Sequence, residues 1–267
     1  MNARVKSRSM GCTDLGTIER ALELLRLLAT AGRYGLALTQ LSGTTGLPHS
    51  TVHRLLHRLI AERMAVQRES DKRYVLGPLS MELGLAASQI YDIREPCRLI
   101  LGRLAEDIGD TVYLTVRSGN ESVCADRYEG PSTIRVVTLE VGSRRPLGLG
   151  AGGLAILAAI PEEERRVTIE HLVQRHGENK SLRSRALCSA IDACRKHGYS
   201  LIRSQVTLGT TAVGVAIRDT LDNPIAAVSV AAVDSRMTEA RIESLSRRLQ
   251  STASAIQSAL HSFSRQY

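Results

Sequence analysis

The stretch Leu38–Gly84, LTQLSGTTGLPHSTVHRLLHRLIAERMAVQRESDKRYVLGPLSMELG, decides the fold of the N-terminal third. From Pro48 or Ser50 onward, Val52, Leu55, Leu56, Leu59 and Ile60 fall at i, i+3, i+4, i+7 and i+8. This single apolar stripe predicts a helix that packs one face against a core. A shorter helix is predicted over Gln40–Thr45, following Thr39 and closing at Gly46. Two helices separated by three or four residues, with a glycine in the break, form a helix-turn-helix. The segment MAVQRESDKRYVL then reads as a hairpin, with strands over Met64–Arg68 and Arg73–Leu76 around the polar turn Glu69–Lys72. Such a hairpin would be a wing, and Gly77-Pro78 ends it.

Working outward, residues 1–15 are basic and polar without periodicity and read as a mobile arm. A first helix begins near Thr17, with Ile18, Leu22, Leu25 and Leu28/Ala29 at helical spacing, and Gly32 and Gly35 end it. Downstream, Leu79–Tyr91 reads as a connecting helix holding the domain boundary. A further helix follows over Arg94–Ile108. Strands are predicted over Thr111–Arg117, Ser122–Tyr128, Ile134–Leu139, Ala212–Arg218 and Ile225–Val233, all rich in Val, Ile and Thr. Helices over roughly 150–160, 162–176 and 183–197 interrupt them, and a long amphipathic helix from Thr238 closes the chain. The expected fold class is α+β, a winged helix-turn-helix over 16–78, a linker helix over 79–93 and a larger domain over 94–267 with a mainly antiparallel sheet.

Composition narrows the function. The chain of 267 residues carries a formal net charge of +8, which suggests a polyanionic partner. Residues 1–90 hold 12 Lys/Arg against 7 Asp/Glu, and residues 91–267 hold 23 against 20, so most of the excess lies in the first third. Trp is absent and Phe occurs once, which argues against a protein that stacks single-stranded bases. No apolar run is long enough for a membrane span and the first residues contain no apolar signal core, so action in the cytoplasm and no membrane partner are expected. Cys12, Cys97, Cys124, Cys188 and Cys194 are scattered without metal spacing and read as mostly small buried residues. No cofactor is implied.

On the predicted third helix, the apolar stripe leaves Ser50, Arg54, His57 and Arg58 facing outward, with Thr51 and His53 on the flanks and His49 at the start. No acid occurs between Pro48 and Ala61. Guanidinium groups donate to guanine edges or phosphates, hydroxyls to phosphates or bases, and a helix N-terminus favours phosphate. Lys72 and Arg73 at the wing suit the DNA backbone or minor groove. His49, His53 and His57 recur every four residues, a spacing that also suits metal ligands, but no carboxylate or cysteine accompanies them and no metal site is assigned.

The quoted stretch resembles the winged-helix region of the IclR (isocitrate lyase regulator) family, above all in TGLPHSTVHRLL (45–56) and YVLG (74–77). The resemblance continues through VGSRRPLGLGAGGLAILA (141–158), KHGYSLIRSQ (196–205) and NPIAAVSVAAVDSR (223–236), and so covers nearly the whole chain. It implies a GAF-like effector domain, a homodimer or homotetramer, and repression or activation at pseudo-palindromic double-stranded operators near metabolic genes.

GLGAGG (148–153) satisfies GxGxxG, yet GSRRPL before it does not read as a strand and no βαβ unit surrounds it. It reads better as a tight loop whose helix N-terminus, at Leu149, Gly150, Ala151, Gly152 and Gly153, could hold the carboxylate of a small effector. A glycine loop that merely allows close packing remains the alternative. The resemblance adds Ile202, Ala212, Ser229 and Ala231 to the effector site. Against the family's common residues, this chain has Gly148 for His, Leu154 for Lys, Ile202 for an acid, Ala212 for Cys and Ala231 for a second serine, whereas Ser229 is retained. These substitutions imply a less polar wall, suited to an aromatic or otherwise hydrophobic organic acid. The competing reading is a catalytic GAF-like domain fused to a DNA module. No GxSxG, HExxH, Walker loop or carboxylate pair supports it; His171 and His176 lie on a polar helix with Arg165, Arg166 and Glu170 that reads as solvated surface, and His197 suits a helix C-terminus.

Overall fold

The apolar stripe of the third helix becomes one side of a small core. In the computed structural model, which describes residues 16–133 and 136–263, the chain divides into two units between Tyr91 and Asp92. The expected arm over residues 1–15 lies outside the described residues. The first unit contains α1 (Thr17–Ala31), α2 (Leu38–Thr45), α3 (His49–Ala61), β1 (Ala65–Gln67), β2 (Tyr74–Leu76) and α4 (Pro78–Tyr91). Leu24 and Leu28 of α1, Leu41 of α2 and Val52, Leu55 and Leu56 of α3 meet in one cluster with Ala65 and Tyr74. Burying each such leucine contributes about 1.5–3 kcal/mol.

The turn between α2 and α3 is short because its polar groups are locally satisfied. Gly46 adopts φ +68, which a glycine enters without Cβ strain. Buried Ser42 donates its hydroxyl to Leu47 O at 2.6 Å, and Thr45 donates to Leu41 O at 2.8 Å. The α2 helix starts at Leu38, earlier than its sequence predicts, because the Gln40 side chain accepts the Ala37 N–H at 3.0 Å and caps the end. Strands β1 and β2 pair antiparallel from Ala65↔Leu76 to Gln67↔Tyr74, and Leu36 adds an isolated bridge to Tyr74. Helix α4 is anchored under the wing: Leu79 N–H donates to Arg63 O at 3.1 Å, and Arg63 pairs with Glu82 at 2.6 Å. A Cβ on Gly77 would stand 2.2 Å from Arg63 O, so only glycine fits this crossing.

The second unit is a six-stranded sheet between helices. Its elements are α5 (Arg94–Ile108), β3 (Thr111–Ser118), β4 (Glu121–Tyr128), β5 (Arg144–Pro146), α6 (Ala151–Ala159), α7 (Glu162–His176), α8 (Ser184–His197), β6 (Ser200–Arg203), β7 (Thr210–Arg218), β8 (Pro224–Val233) and α9 (Glu239–Phe263). The order is β5-β4-β3-β8-β7-β6, antiparallel at every pairing. Strand alternation separates two cores. Val213, Val215 and Ile217 face α5 and α9 together with Val228 and Val230, whereas Ala227 and the partly buried Ala212 and Ala216 pack with α6 and α8. The small side chains on the second face let α6 lie close to the sheet.

Three expectations are corrected. GSRRPL does contain a strand, β5, although it joins the antiparallel edge of β4 and forms no βαβ unit. The segment read as a strand over Ile134–Leu139 is not one across its described part: residues 136–140 have no regular structure, while Ile134 and Arg135 lie outside the described residues. Arg165 is not solvated surface; it is buried and donates to Ile160 O at 2.6 Å.

Candidate functional site

Helix α3 sends its apolar stripe inward, and the polar side chains are therefore left outside. His49, Ser50, His53, Arg54, His57 and Arg58 are exposed, and Thr51 is half-buried. The rings of His53 and His57 stand edge to face at 6.4 Å. Arg54 and Arg58 border a surface cleft with Thr51 and, from α1, Thr17 and Arg20. No side chain of Asp or Glu lines this cleft, so its field favours anions. Arg20 is a member that periodicity did not single out.

At the wing, neighbouring cations part ways. Lys72 is exposed at the tip with φ +57. Arg73, expected beside it at the DNA surface, is half-buried and donates to Gly35 O at 3.1 Å and Gln40 Oε1 at 3.4 Å, so its charge turns back onto the domain. Arg68 acts similarly, donating to Arg33 O and Tyr34 O at 2.8 Å each. These two arginines hold the hairpin to the segment after α1.

In the second unit a cavity opens at the N-terminus of α6. Leu149, Gly150, Ala151, Gly152 and Gly153 border it, as do Ile202, Ala212, Ser229 and Ala231, so all nine expected effector residues meet there. Strand register explains the grouping: Ile202, Ala212 and Ala231 align across β6, β7 and β8, and Ser229 lies beside Tyr113. Gly150 is the N-cap, with φ +87 and no side-chain cap, and Leu154 N–H is the first to bond back, to Gly150 O. The glycines also serve packing. A Cβ on Gly152 would sit 2.8 Å from Thr115 Oγ1, and one on Gly148 would sit 2.6 Å from Leu187 Cδ1. A side chain at position 148 would thus press on Leu187 and would need the left-handed φ of +88 that glycine enters freely. Leu154, the counterpart of the family's lysine, is buried in the α6–α8 core and does not border the cavity.

Sequence reasoning missed the other wall. Tyr113, Thr115, Ser122, Cys124, Thr138 and Arg145 also line the cavity, which makes it more polar than the substitutions at Gly148, Leu154, Ile202, Ala212 and Ala231 implied. Tyr113 donates its hydroxyl to Val136 O at 2.7 Å and accepts the Thr138 N–H at 3.1 Å. Arg145 donates to Thr138 O at 2.6 Å, and Arg127 to Leu139 O at 3.2 Å. Side chains, rather than a partner strand, therefore hold the strap over residues 136–140. Burial pushes the Arg145 guanidinium down from its ordinary value, opposed by Tyr113 and Cys124, though arginine keeps its charge at neutral pH. Burial likewise pushes the Cys124 thiol up to about 11, so it stands as a protonated thiol and not as a nucleophile. Among the described residues no group of three or more His, Cys, Asp and Glu is placed to hold a metal, and no helix is long and apolar enough to cross a membrane.

Comparison with known proteins follows the same two-unit division. Residues 17–69 match the IclR helix-turn-helix domain, and residues 85–258 match the bacterial transcriptional regulator IclR C-terminal domain. The HTH-type transcriptional regulator KipR of Bacillus subtilis is 29% identical over 238 residues, covering 89% of this chain and 94% of KipR. The HTH-type transcriptional repressor AllR of Escherichia coli is 28% identical over 244 residues, covering 91% and 89%. Among solved structures, an IclR family transcriptional regulator from Brucella abortus superposes with a TM-score of 0.75 at 26% identity, over 92% of this chain and 94% of that one. The Thermotoga maritima IclR gives 0.62 at 27% identity, over 91% and 98%. Both domains in their order, over most of the chain, place this protein in the IclR family of bacterial DNA-binding transcriptional regulators.

Proposed function

We propose that the chain is a ligand-responsive repressor or activator of metabolic, chiefly catabolic, genes that acts in the cytoplasm on pseudo-palindromic operators. The observation that carries this reading is the outward face of α3, where Ser50, His53, Arg54, His57 and Arg58 are exposed without an acid among them. Two such helices in a homodimer, or four in a homotetramer, enter successive major grooves, with Lys72 of the wing on the backbone or minor groove. The exposed apolar side chains of Met81 and Leu83 on α4 favour self-association.

The cavity at the α6 N-terminus is the effector site of this reading, and its ligand is a small organic acid. Leu149, Ile202, Ala212 and Ala231 supply apolar surface for a hydrophobic or aromatic body, while Ser229 offers a hydroxyl. Occupancy biases the helix over 79–91 and so the spacing of the two reading helices. Mapping the genomic sites that the protein protects tests the proposal. The expected footprint holds two inverted half-sites about one helical turn, 10–10.5 base pairs, apart or a multiple of it. Footprints without inverted symmetry would overturn it.

A further inference from the structure

We infer that Arg145 reads the effector's carboxylate and restricts the cavity to monocarboxylic acids with an apolar body. This rests on the effector reading above. Strand β5 carries two adjacent arginines whose environments differ. Arg144 pairs with Glu121 at 2.9 Å on one side of the strand. Arg145, one residue on and so on the opposite side, lines the cavity. No Asp or Glu shares that lining. Its guanidinium donates to a neutral carbonyl, Thr138 O, at 2.6 Å.

The position of this cation sharpens the ligand's chemistry. A Cβ on Gly150 would stand 3.6 Å from Arg145 Nη1, so the guanidinium lies beside the uncapped first turn of α6. That turn presents the positive end of the helix dipole, roughly half a unit charge. Two positive ends side by side repel unless an anion sits between them. Arg145 is the one charged side chain in the lining, so a first carboxylate finds a full ion partner there and a second does not. A carboxylate offers two oxygens, one for the fork of Arg145 and one for the N–H groups of Ala151 and Gly152. The facing row of Ile202, Ala212 and Ala231 has no side-chain donor for a second acid group and presents apolar surface to the body of the ligand. Arg145 also clasps the strap at Thr138, so the ligand's carboxylate and the strap share one guanidinium.

The test compares benzoate with its neutral amide benzamide and with the dianion phthalate, and adds phenylacetate and cyclohexanecarboxylate as further monocarboxylates. Binding to the full chain is measured by calorimetry for wild type, Arg145→Gln and Arg145→Lys. Wild type and Arg145→Lys are expected to favour benzoate over benzamide by about tenfold or more, and Arg145→Gln by less than about twofold. The acid-to-amide ratio isolates charge reading, because a merely collapsed strap would weaken both probes together. A benzoate preference that survives in Arg145→Gln overturns this inference and leaves the effector reading standing. Phthalate binding more tightly than benzoate overturns the restriction to one carboxylate. Absence of binding by benzoate, phenylacetate and cyclohexanecarboxylate alike at about 10 mM overturns both the inference and the reading beneath it.

Discussion

Gly214→Ala should damage the ligand cavity from outside it. Gly214 lies at the centre of β7, paired with Ser200 on one side and Ser229 on the other, so the strand cannot retreat. A Cβ there would stand 2.8 Å from Ala151 O and 2.9 Å from Ser200 Oγ, where ordinary contact begins at 3.4 Å. The first turn of α6 must therefore lift by roughly half an ångström, a displacement that overpacking studies associate with about 1–3 kcal/mol. Ser200 also donates to Ala151 O at 2.6 Å, and weakening that bond adds about 1 kcal/mol. The total, about 2–4 kcal/mol, corresponds to a fall of roughly 5–12 °C in the melting of the second unit. Scanning calorimetry of the full chain reads it, and benzoate titration reads the displaced cavity. Operator affinity without ligand should be unchanged, since the reading helix belongs to the other unit. A melting temperature within about 1 °C of wild type, with ligand affinity intact, would refute the argument that glycine is required for the seating of α6.

The remaining predictions concern single groups. Burial pushes Cys97 to about 12 and Cys124 and Cys194 to about 11, whereas Cys188 is only half-buried. Iodoacetamide labelling followed by mass spectrometry should therefore find Cys188 modified first among these four, and early modification of Cys124 would contradict its placement. Hydrogen bonds from the Thr211 and Ser204 hydroxyls hold the Asp234 carboxyl below its ordinary value. A depressed folded-state value gives stability that is present above about pH 4 and lost as pH falls below it. Asp234→Asn should lose less melting temperature than wild type between pH 5 and pH 3; an equal loss would remove the role. Ser229→Ala should impair the response to a bound acid while leaving operator binding in place, measured by anisotropy with and without benzoate.

Much of the fold was legible because it is written in periodicity. The stripe from Val52 to Ile60 answers to one partner surface, and the Val, Ile and Thr content of β7 and β8 marks them as strands, so short windows of sequence suffice to find them. What could not be read depends on contacts distant in sequence. Arg144 and Arg145 look alike as a basic pair, and only the pairing of β5 with β4 sends one to Glu121 and the other to the cavity. The run Val136-Val137-Thr138 has strand composition, but its backbone groups bond to the side chains of Tyr113 and Arg145 instead of to a neighbouring strand. Arg73 was readable as a wing cation, but not that Gly35 O and Gln40 would turn it inward. Gly148 to Gly153 were noticed for their spacing; their tight approach to Thr115 and Leu187 shows that close packing is part of their role.

Operator affinity of Arg54→Ala and Lys72→Ala, measured by fluorescence anisotropy across a salt series, tests the central claim most directly. If α3 reads bases, Arg54→Ala costs about 1–3 kcal/mol on the operator and relaxes preference at one position of each half-site. Lys72→Ala instead weakens all sequences alike and reduces the salt slope by about one unit per wing. Unchanged operator affinity in both variants would contradict the assignment of α3 and the wing as the DNA-binding surface.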